Sequence, residues 1–321
     1  MSQQRLRVGV VGTGALGSQH ARVFAALEEA QLTAVFDIDR PRAVAVAARH
    51  GAAASPSIDE LIANVDAAVV AVPTVDHAAI ASLLVRARRH VLVEKPITST
   101  LDDADRLVAL ARDCGVTLQV GHVERFNPAS EALRRIGAPR FVEVHRLSPF
   151  QNRSLDIDVI LDLMIHDLDL LVALDGSKAV QIDAVGVPVL TDRVDIANVR
   201  IRLQSGLIAN LTASRVSAEK VRKFRVFGPR VYASCDFLTR QAQVATLVAG
   251  AGGAPEIKIE SIGSPSVDPE SEPLSRQAKA FVHSVLHRET PMVSGADGLA
   301  VLRLATEILD KMSGMGSNTP A

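Results

Sequence analysis

The chain is 321 residues long and 48% hydrophobic, with 35 Lys and Arg against 36 Asp and Glu, a formal net charge of −1. That length is comfortable for two domains with packed cores, and the balanced charge argues against non-specific nucleic-acid binding. Two cysteines form neither a disulfide framework nor a metal-ligand set, no apolar run reaches membrane-spanning length, and the N-terminus enters an apolar strand at once, leaving no room for a signal peptide. The expectation is a soluble cytoplasmic protein in which Cys114 and Cys235 are buried thiols.

The first predicted strand, residues 7–11, turns through Gly12-Thr13-Gly14-Ala15-Leu16-Gly17 into a helix over 18–30. Gly12 permits the tight turn, Gly14 lets the backbone approach a pyrophosphate, and Gly17 lets helix and strand pack closely. The helix start points unpaired N–H groups and the positive end of its dipole at a diphosphate. A second strand, 32–36, ends at Asp37, twenty positions beyond Gly17, where a carboxylate accepts hydrogen bonds from an adenosine ribose. Asp37 opposes the 2′-phosphate of NADP, so NAD is the expected cofactor. Arg40 and Arg42 just downstream offset part of that repulsion.

Strand and helix then alternate: helix 40–50, a helical turn 57–63, strand 67–72, helix 76–88, strand 91–93, helix 101–114 and strand 117–120. Short, nearly continuous apolar strands separated by amphipathic helices predict a doubly wound parallel sheet of Rossmann type. Ligands of such sheets bind beyond the carboxyl ends of the strands. The exits here carry Val72-Pro73-Thr74, with His77 close behind, Glu94-Lys95-Pro96 and Gly121-His122.

Beyond about residue 127 the rhythm changes. A helix over 128–136 and a strand over 141–146 precede a long helix, 159–173. Strands at 180–187, 198–203, 207–212, 223–227 and 231–235 then follow without intervening helices, a pattern that predicts an α+β domain with a mostly antiparallel open sheet. Residues 249–273, rich in Gly, Ser and Pro around a short strand at 256–262, read as a flexible excursion. Helices over 275–286 and 296–311 close the fold, and the tail after Gly314 is expected to be disordered. The predicted division is 1–124, a dinucleotide-binding domain, and 125–321, a domain for substrate and oligomerisation.

Two features could carry chemistry. Pro96 keeps Lys95 out of any helix at a strand exit. Beside a positively charged nicotinamide the lysine's ammonium form is disfavoured, so it could donate a hydrogen bond to a substrate hydroxyl; the alternative is a solvated loop lysine. Asp162 and His166, four apart on the long helix, share a face. There the carboxylate could orient an imidazole that accepts an alcohol proton; the alternative is a pair capping an apolar face. The single His among many Asp on this helix does not suggest a metal site.

These pieces together resemble the glucose-fructose oxidoreductase / inositol dehydrogenase / MocA family. The likeness spans essentially the whole chain and rests on the three glycines, Ala71-Val72-Pro73-Thr74-x-x-His77, Glu94-Lys95-Pro96, Gly121-His122-x-x-Arg125-Phe126-Asn127-Pro128 and Asp162-x-x-x-His166. It implies a nicotinamide dehydrogenase with Lys95, Asp162 and His166 as the catalytic group. It also implies a second-domain sheet that supplies the substrate pocket and often a homo-oligomer interface, in a dimer or tetramer.

A narrower likeness, in 120–128, 145–150, 162–169 and 211–215, is to the branch of that family that oxidises C3 of UDP-N-acetylglucosamine, making the keto sugar nucleotide that an aminotransferase then aminates for lipid A. On that reading Arg125, Asn127, Arg146, Arg153 and Arg215 are candidate substrate contacts, the arginines being suited to a diphosphate. Another UDP-sugar or a free polyol such as inositol is the alternative substrate. A non-catalytic NAD-binding regulator is a further alternative, although such relatives are expected to lose the lysine or histidine that this chain keeps.

Overall fold

Short apolar runs alternating with amphipathic helices can bury both faces of a sheet only by crossing over it repeatedly. In the computed structural model, which describes residues 5–151, 157–250, 254–263 and 272–315, they do so. The elements are β1 (Leu6–Val11), α1 (Ala15–Ala26), β2 (Ala30–Phe36), α2 (Arg40–His50), β3 (Ala53–Ala54), α3 (Ile58–Asn64), β4 (Ala67–Val70), α4 (Thr74–Arg86), β5 (His90–Val93), α5 (Leu101–Cys114) and β6 (Leu118–Val120). The strands lie in the order β3-β2-β1-β4-β5-β6, every pair parallel. The order reverses between β1 and β4, which opens the ligand crevice of such a sheet at their carboxyl ends. Local chemistry sets the helix ends. Asp39, Ser57 and Thr100 accept from first-turn N–H groups, and Gly51 and Gly115 end α2 and α5 in the left-handed conformation.

The chain divides into two compact units, Met1–Val123 with Pro269–Leu299, and Glu124–Asp268 with Ala300–Ala321. The helix Pro273–His287 therefore belongs with the first unit, although the sequence division placed it in the second. Its apolar face explains this: Ala278, Phe281, Val282 and Val285 join Val8, Val10, Ala21 and Phe24 in one core. Phe24 and Phe281 meet edge to face at 6.5 Å, a geometry that adds about 0.5–1.5 kcal/mol beyond area burial.

The second unit opens on 3₁₀ turns at Val123–Phe126 and Pro128–Arg135, where a regular helix was predicted for the latter. It continues with β7 (Phe141–Leu147), a π-helical turn Ile160–Met164, α6 (Ile165–Asp175), β8 (Ala179–Val187), β9 (Ile196–Leu203), β10 (Ile208–Ser214), β11 (Val221–Gly228), β12 (Val231–Asp236), β13 (Gln241–Ala249) and β14 (Pro255–Ile262). The last two helices of the chain are α7 (Pro273–His287) and α8 (Gly295–Met315). The sheet runs β14-β13-β12-β11-β7-β10-β9-β8, and only the β7–β10 pair is parallel. Alternate residues such as Ala197, Val199, Ile201 and Leu203 face a core shared with Leu168 and Leu171 of α6 and Leu304 and Ile308 of α8.

Two expectations change here. Ahead of the predicted excursion lies a strand that was not expected, β13, which pairs antiparallel with β14, the strand expected at 256–262; residues 251–253 and 264–271 of the excursion lie outside the described residues, as do 316–321 of the tail. Of the cysteines, Cys235 is buried and its thiol is pushed up to about 12 by that burial. Cys114, at the solvent end of α5, is only half-buried. Among the described residues no helix is long and apolar enough to cross a membrane.

Candidate active site

The glycine turn leaves little freedom. Gly12 has φ 86°, and a Cβ there would lie 2.5 Å from the Ala71 carbonyl oxygen; a Cβ on Gly17 would collide with the Gly12 carbonyl. Gly14 differs, since nothing lies within 4 Å of the position its Cβ would take. It also N-caps α1 without a side chain, so the first-turn N–H groups of the helix can serve an anion. Ala15 and Leu16 are exposed beside it. A diphosphate fits this cradle.

Asp37 follows β2 with its carboxylate buried. It accepts from Thr13 N at 2.6 Å and Thr13 Oγ1 at 2.9 Å, tying the glycine loop to the neighbouring strand exit. It also accepts from Asp39 N at 2.9 Å and from Arg42 Nη2 and Nε at 2.8 and 3.2 Å. Burial alone would raise the carboxyl; the bonds from Arg42, Thr13 and Asp39 outweigh it and hold Asp37 well below the usual carboxylate range. Of the two arginines expected beside the ribose site, Arg40 reaches the Ala54 carbonyl at 3.4 Å and Arg42 pairs with Asp37. Ile38, next to Asp37, is 95% exposed.

The Glu94-Lys95-Pro96 turn at the end of β5 is held from several sides. Glu94 and Pro96 are buried, Lys95 is half-buried, and the Lys95–Pro96 peptide is cis. Glu94 Oε2 accepts from Lys95 N at 3.2 Å. His77, itself buried, has Nδ1 2.9 Å from the Pro96 carbonyl oxygen and Nε2 3.0 Å from that of Val72. It therefore bridges the exits of β4 and β5. Pro73, exposed, precedes Thr74 at the start of α4, and Gly121 and buried His122 follow β6.

In the second unit Asp162 lies within the π-helical turn and His166 in the first turn of α6. The ladder there is i→i+5, as Ile165 N donating to Ile160 O shows, so the regular α-helix predicted over 159–173 begins only at Ile165. Such π turns often mark functional sites. Both side chains are half-buried.

The expected diphosphate arginines fare differently. Arg146 is 2% exposed and engages Asp167 through Nε at 2.7 Å and Nη2 at 2.8 Å, with Nη1 3.1 Å from Glu124 Oε1. Burial opposes its charge, but Asp167 and Glu124 more than offset that and raise its pKa. Arg215, also buried, binds Asp195 Oδ1 at 2.8 Å and the Ile157 carbonyl at 2.8 Å, and Asp195 in turn accepts from the N–H groups of Val189, Leu190 and Thr191. Asn127 caps the 3₁₀ turn through Ala129 N and donates to Glu124 and to the Phe237 carbonyl. All three are hydrogen-bonded to groups of the second unit. Arg125 sits 3.5 Å from Asp169, and Arg153 lies outside the described residues. Among the described residues no group of three or more His, Cys, Asp or Glu could hold a metal ion.

Residues 6–122 match a model described as an oxidoreductase family with an NAD-binding Rossmann fold, and 132–233 match the GFO/IDH/MocA C-terminal domain. The chain is 40% identical over 306 residues to UDP-N-acetylglucosamine 3-dehydrogenase of Acidithiobacillus ferrooxidans, covering 94% of this chain and 96% of that relative. It is 27% identical over 320 residues to myo-inositol 2-dehydrogenase of Thermotoga maritima, covering 93% and 94%. A solved structure of UDP-N-acetylglucosamine 3-dehydrogenase from Acidithiobacillus ferrooxidans superposes with a TM-score of 0.89 at 39% identity, covering 97% of this chain and 98% of that one. The resemblance read from the motifs thus holds along the whole chain, and the protein belongs to the GFO/IDH/MocA family of oxidoreductases.

Proposed function

We propose that the protein oxidises the C3 hydroxyl of UDP-N-acetylglucosamine to a ketone, with NAD as hydride acceptor. The observation that carries this substrate is the 40% identity, across 94% of the chain, to a 3-dehydrogenase of that sugar nucleotide. A bound nicotinamide supplies the two-electron acceptor for the hydrogen that leaves C3. An imidazole nitrogen of His166 takes the hydroxyl proton as the O–H bond breaks, and the electron pair left on oxygen closes the carbonyl. Lys95 donates a hydrogen bond to that oxygen throughout, and Asp162 orients the imidazole. The alcohol and NAD⁺ thus give ketone, NADH and one proton.

Arg125, Asn127, Arg146, Arg153 and Arg215 are the candidate substrate ligands, the arginines for the diphosphate. The keto product suits an aminotransferase, which puts the step ahead of an amination in lipid A precursor supply. The enzyme works as a homo-oligomer built on the second unit's sheet.

The test mixes purified protein, NAD and sugar and follows NADH absorbance. UDP-N-acetylglucosamine should give NADH and a ketone located at C3 by NMR. Turnover with myo-inositol and none with the sugar nucleotide would overturn the reading.

Cofactor choice is a separate prediction. A carboxylate and a 2′-phosphate ~4 Å apart repel by about 1 to 4 kcal/mol, or about five- to a thousandfold in preference for NAD. Because Arg42 already pairs with Asp37, discrimination should fall near the low end. Asp37→Asn keeps an acceptor for Thr13 N–H but removes the charge, so the NADP-to-NAD ratio of kcat/KM should rise. An unchanged ratio would show that Asp37 does not choose the cofactor.

A further inference from the structure

The histidine three residues beyond Gly17 has no place in the chemistry above, yet it is completely buried. His20 lies on the inner face of α1 at 0% exposure. Its Nε2 is 2.7 Å from Glu94 Oε1, and its Nδ1 has no hydrogen-bond partner among the described residues. An imidazole buried for packing alone is a poor use of a core position, because a polar ring loses water without full compensation. This one spends its single bond on the carboxylate that precedes Lys95.

The carboxylate is pinned elsewhere as well. A Cβ on Gly121 would lie 2.7 Å from Glu94 Cδ and from both its oxygens, so the group lies flat against the glycine with no space to turn. With Oε1 facing His20, Oε2 faces Lys95 N at 3.2 Å. An ionised carboxylate only accepts, so both neighbours donate, Nε2–H from one side and the Lys95 amide from the other.

We infer that His20 is a positioning residue for Lys95. By holding one oxygen of Glu94 it aims the other at the lysine's backbone N–H, and so sets the direction in which Lys95 leaves β5. The helix whose first turn cradles the dinucleotide therefore also aims the lysine, one turn further along. This rests on the reading of Lys95 as the group that holds the substrate oxygen.

Two amides of the same polarity but different reach provide the test. The amide of Gln extends to about the position of Nε2, and that of Asn only to that of Nδ1, which bonds nothing here. His20→Asn should lower kcat by about ten- to a hundredfold, the effect of misplacing a reacting group by about 1 Å, with KM for NAD nearly unchanged. His20→Gln should recover most of that loss. In a Lys95→Ala background the His20→Asn change should cost little further, since residues acting as a unit are not additive.

Equal kcat for the Asn and Gln variants, or a full additional loss in the Lys95→Ala background, would overturn the inference. Should His20→Asn fail to fold, Glu94→Asp withdraws the carboxylate from both donors by one methylene; full kcat at saturating NAD in that variant would overturn it equally. If Lys95→Ala itself keeps normal turnover, the reading of the lysine fails instead, and the two failures are told apart.

Discussion

Lys95→Met and His166→Asn should each lower kcat about 10²- to 10⁴-fold, the usual contribution of a positioned proton-transfer group, with NADH affinity close to that of the parent. Methionine keeps the unbranched stem of lysine but no donor, so the oxygen that becomes a carbonyl loses its hydrogen bond where charge moves most. Asparagine at 166 keeps polarity and approximate size but does not accept the proton. Affinity should survive because Lys95 stands at the end of β5, whereas the diphosphate cradle is built by Gly12, Gly14, Gly17 and the start of α1. Steady-state kinetics with titration of NADH fluorescence separates the two effects. Near-normal turnover in both variants would remove the proposed chemistry altogether; a loss of NADH binding in step with kcat would make them structural.

The largest effect on stability should come from Arg146. Removing one partner of a buried ion pair costs about 3–5 kcal/mol, because the remaining charge stays desolvated. Arg146→Ala leaves Asp167 without its guanidinium, while Glu124 keeps Arg222 at 3.3 Å and the Asn127 amide at 3.0 Å. Burial already pushes the Asp167 carboxyl up, with Arg146 opposing and Glu124 adding to the rise. Without the guanidinium Asp167 should titrate still further above its unfolded value. A group raised in the folded state favours folding below its unfolded pKa and opposes it as pH increases. The variant's deficit should therefore be largest at neutral pH and shrink as pH falls toward about 4, the ordinary carboxylate value. Denaturant unfolding at a series of pH values measures this, and adding Glu124→Gln and Asp167→Asn to Arg146→Met should restore much of the loss. A deficit that does not change with pH would mean that packing, not charge, is what Arg146 supplies.

Local pattern carried far in the first unit. The termini of α2 and α5 fall where residues 40–50 and 101–114 were predicted, because each has a side-chain cap at one end and a left-handed glycine at the other. The β13–β14 hairpin was half legible: the alternation Glu256-Ile257-Lys258-Ile259-Glu260 predicts the strand at 256–262, whereas Gln241–Ala249 was not read as a strand. The regular helix expected at 128–136 gives way to 3₁₀ turns that Asn127 caps while it also reaches Glu124 and Phe237.

What the sequence determined by itself was the kind of protein: a dinucleotide fold, its glycine cradle and acidic strand end, the lysine at a strand exit and the membership of an oxidoreductase family. The fold, the cradle and the strand ends follow from backbone sterics and short-range periodicity, which act over a few residues; the family follows from the resemblance of the motifs. Which charges meet was decided only by the tertiary structure. Arg146 and Arg215 look in sequence like any phosphate ligand, and Arg42 is no better a partner for Asp37 than Arg40 is. His20 and Glu94 stand 74 positions apart. A guanidinium or imidazole has no local preference strong enough to name its partner, because the energy that pairs buried charges comes from losing water together, and that depends on what the fold brings beside them.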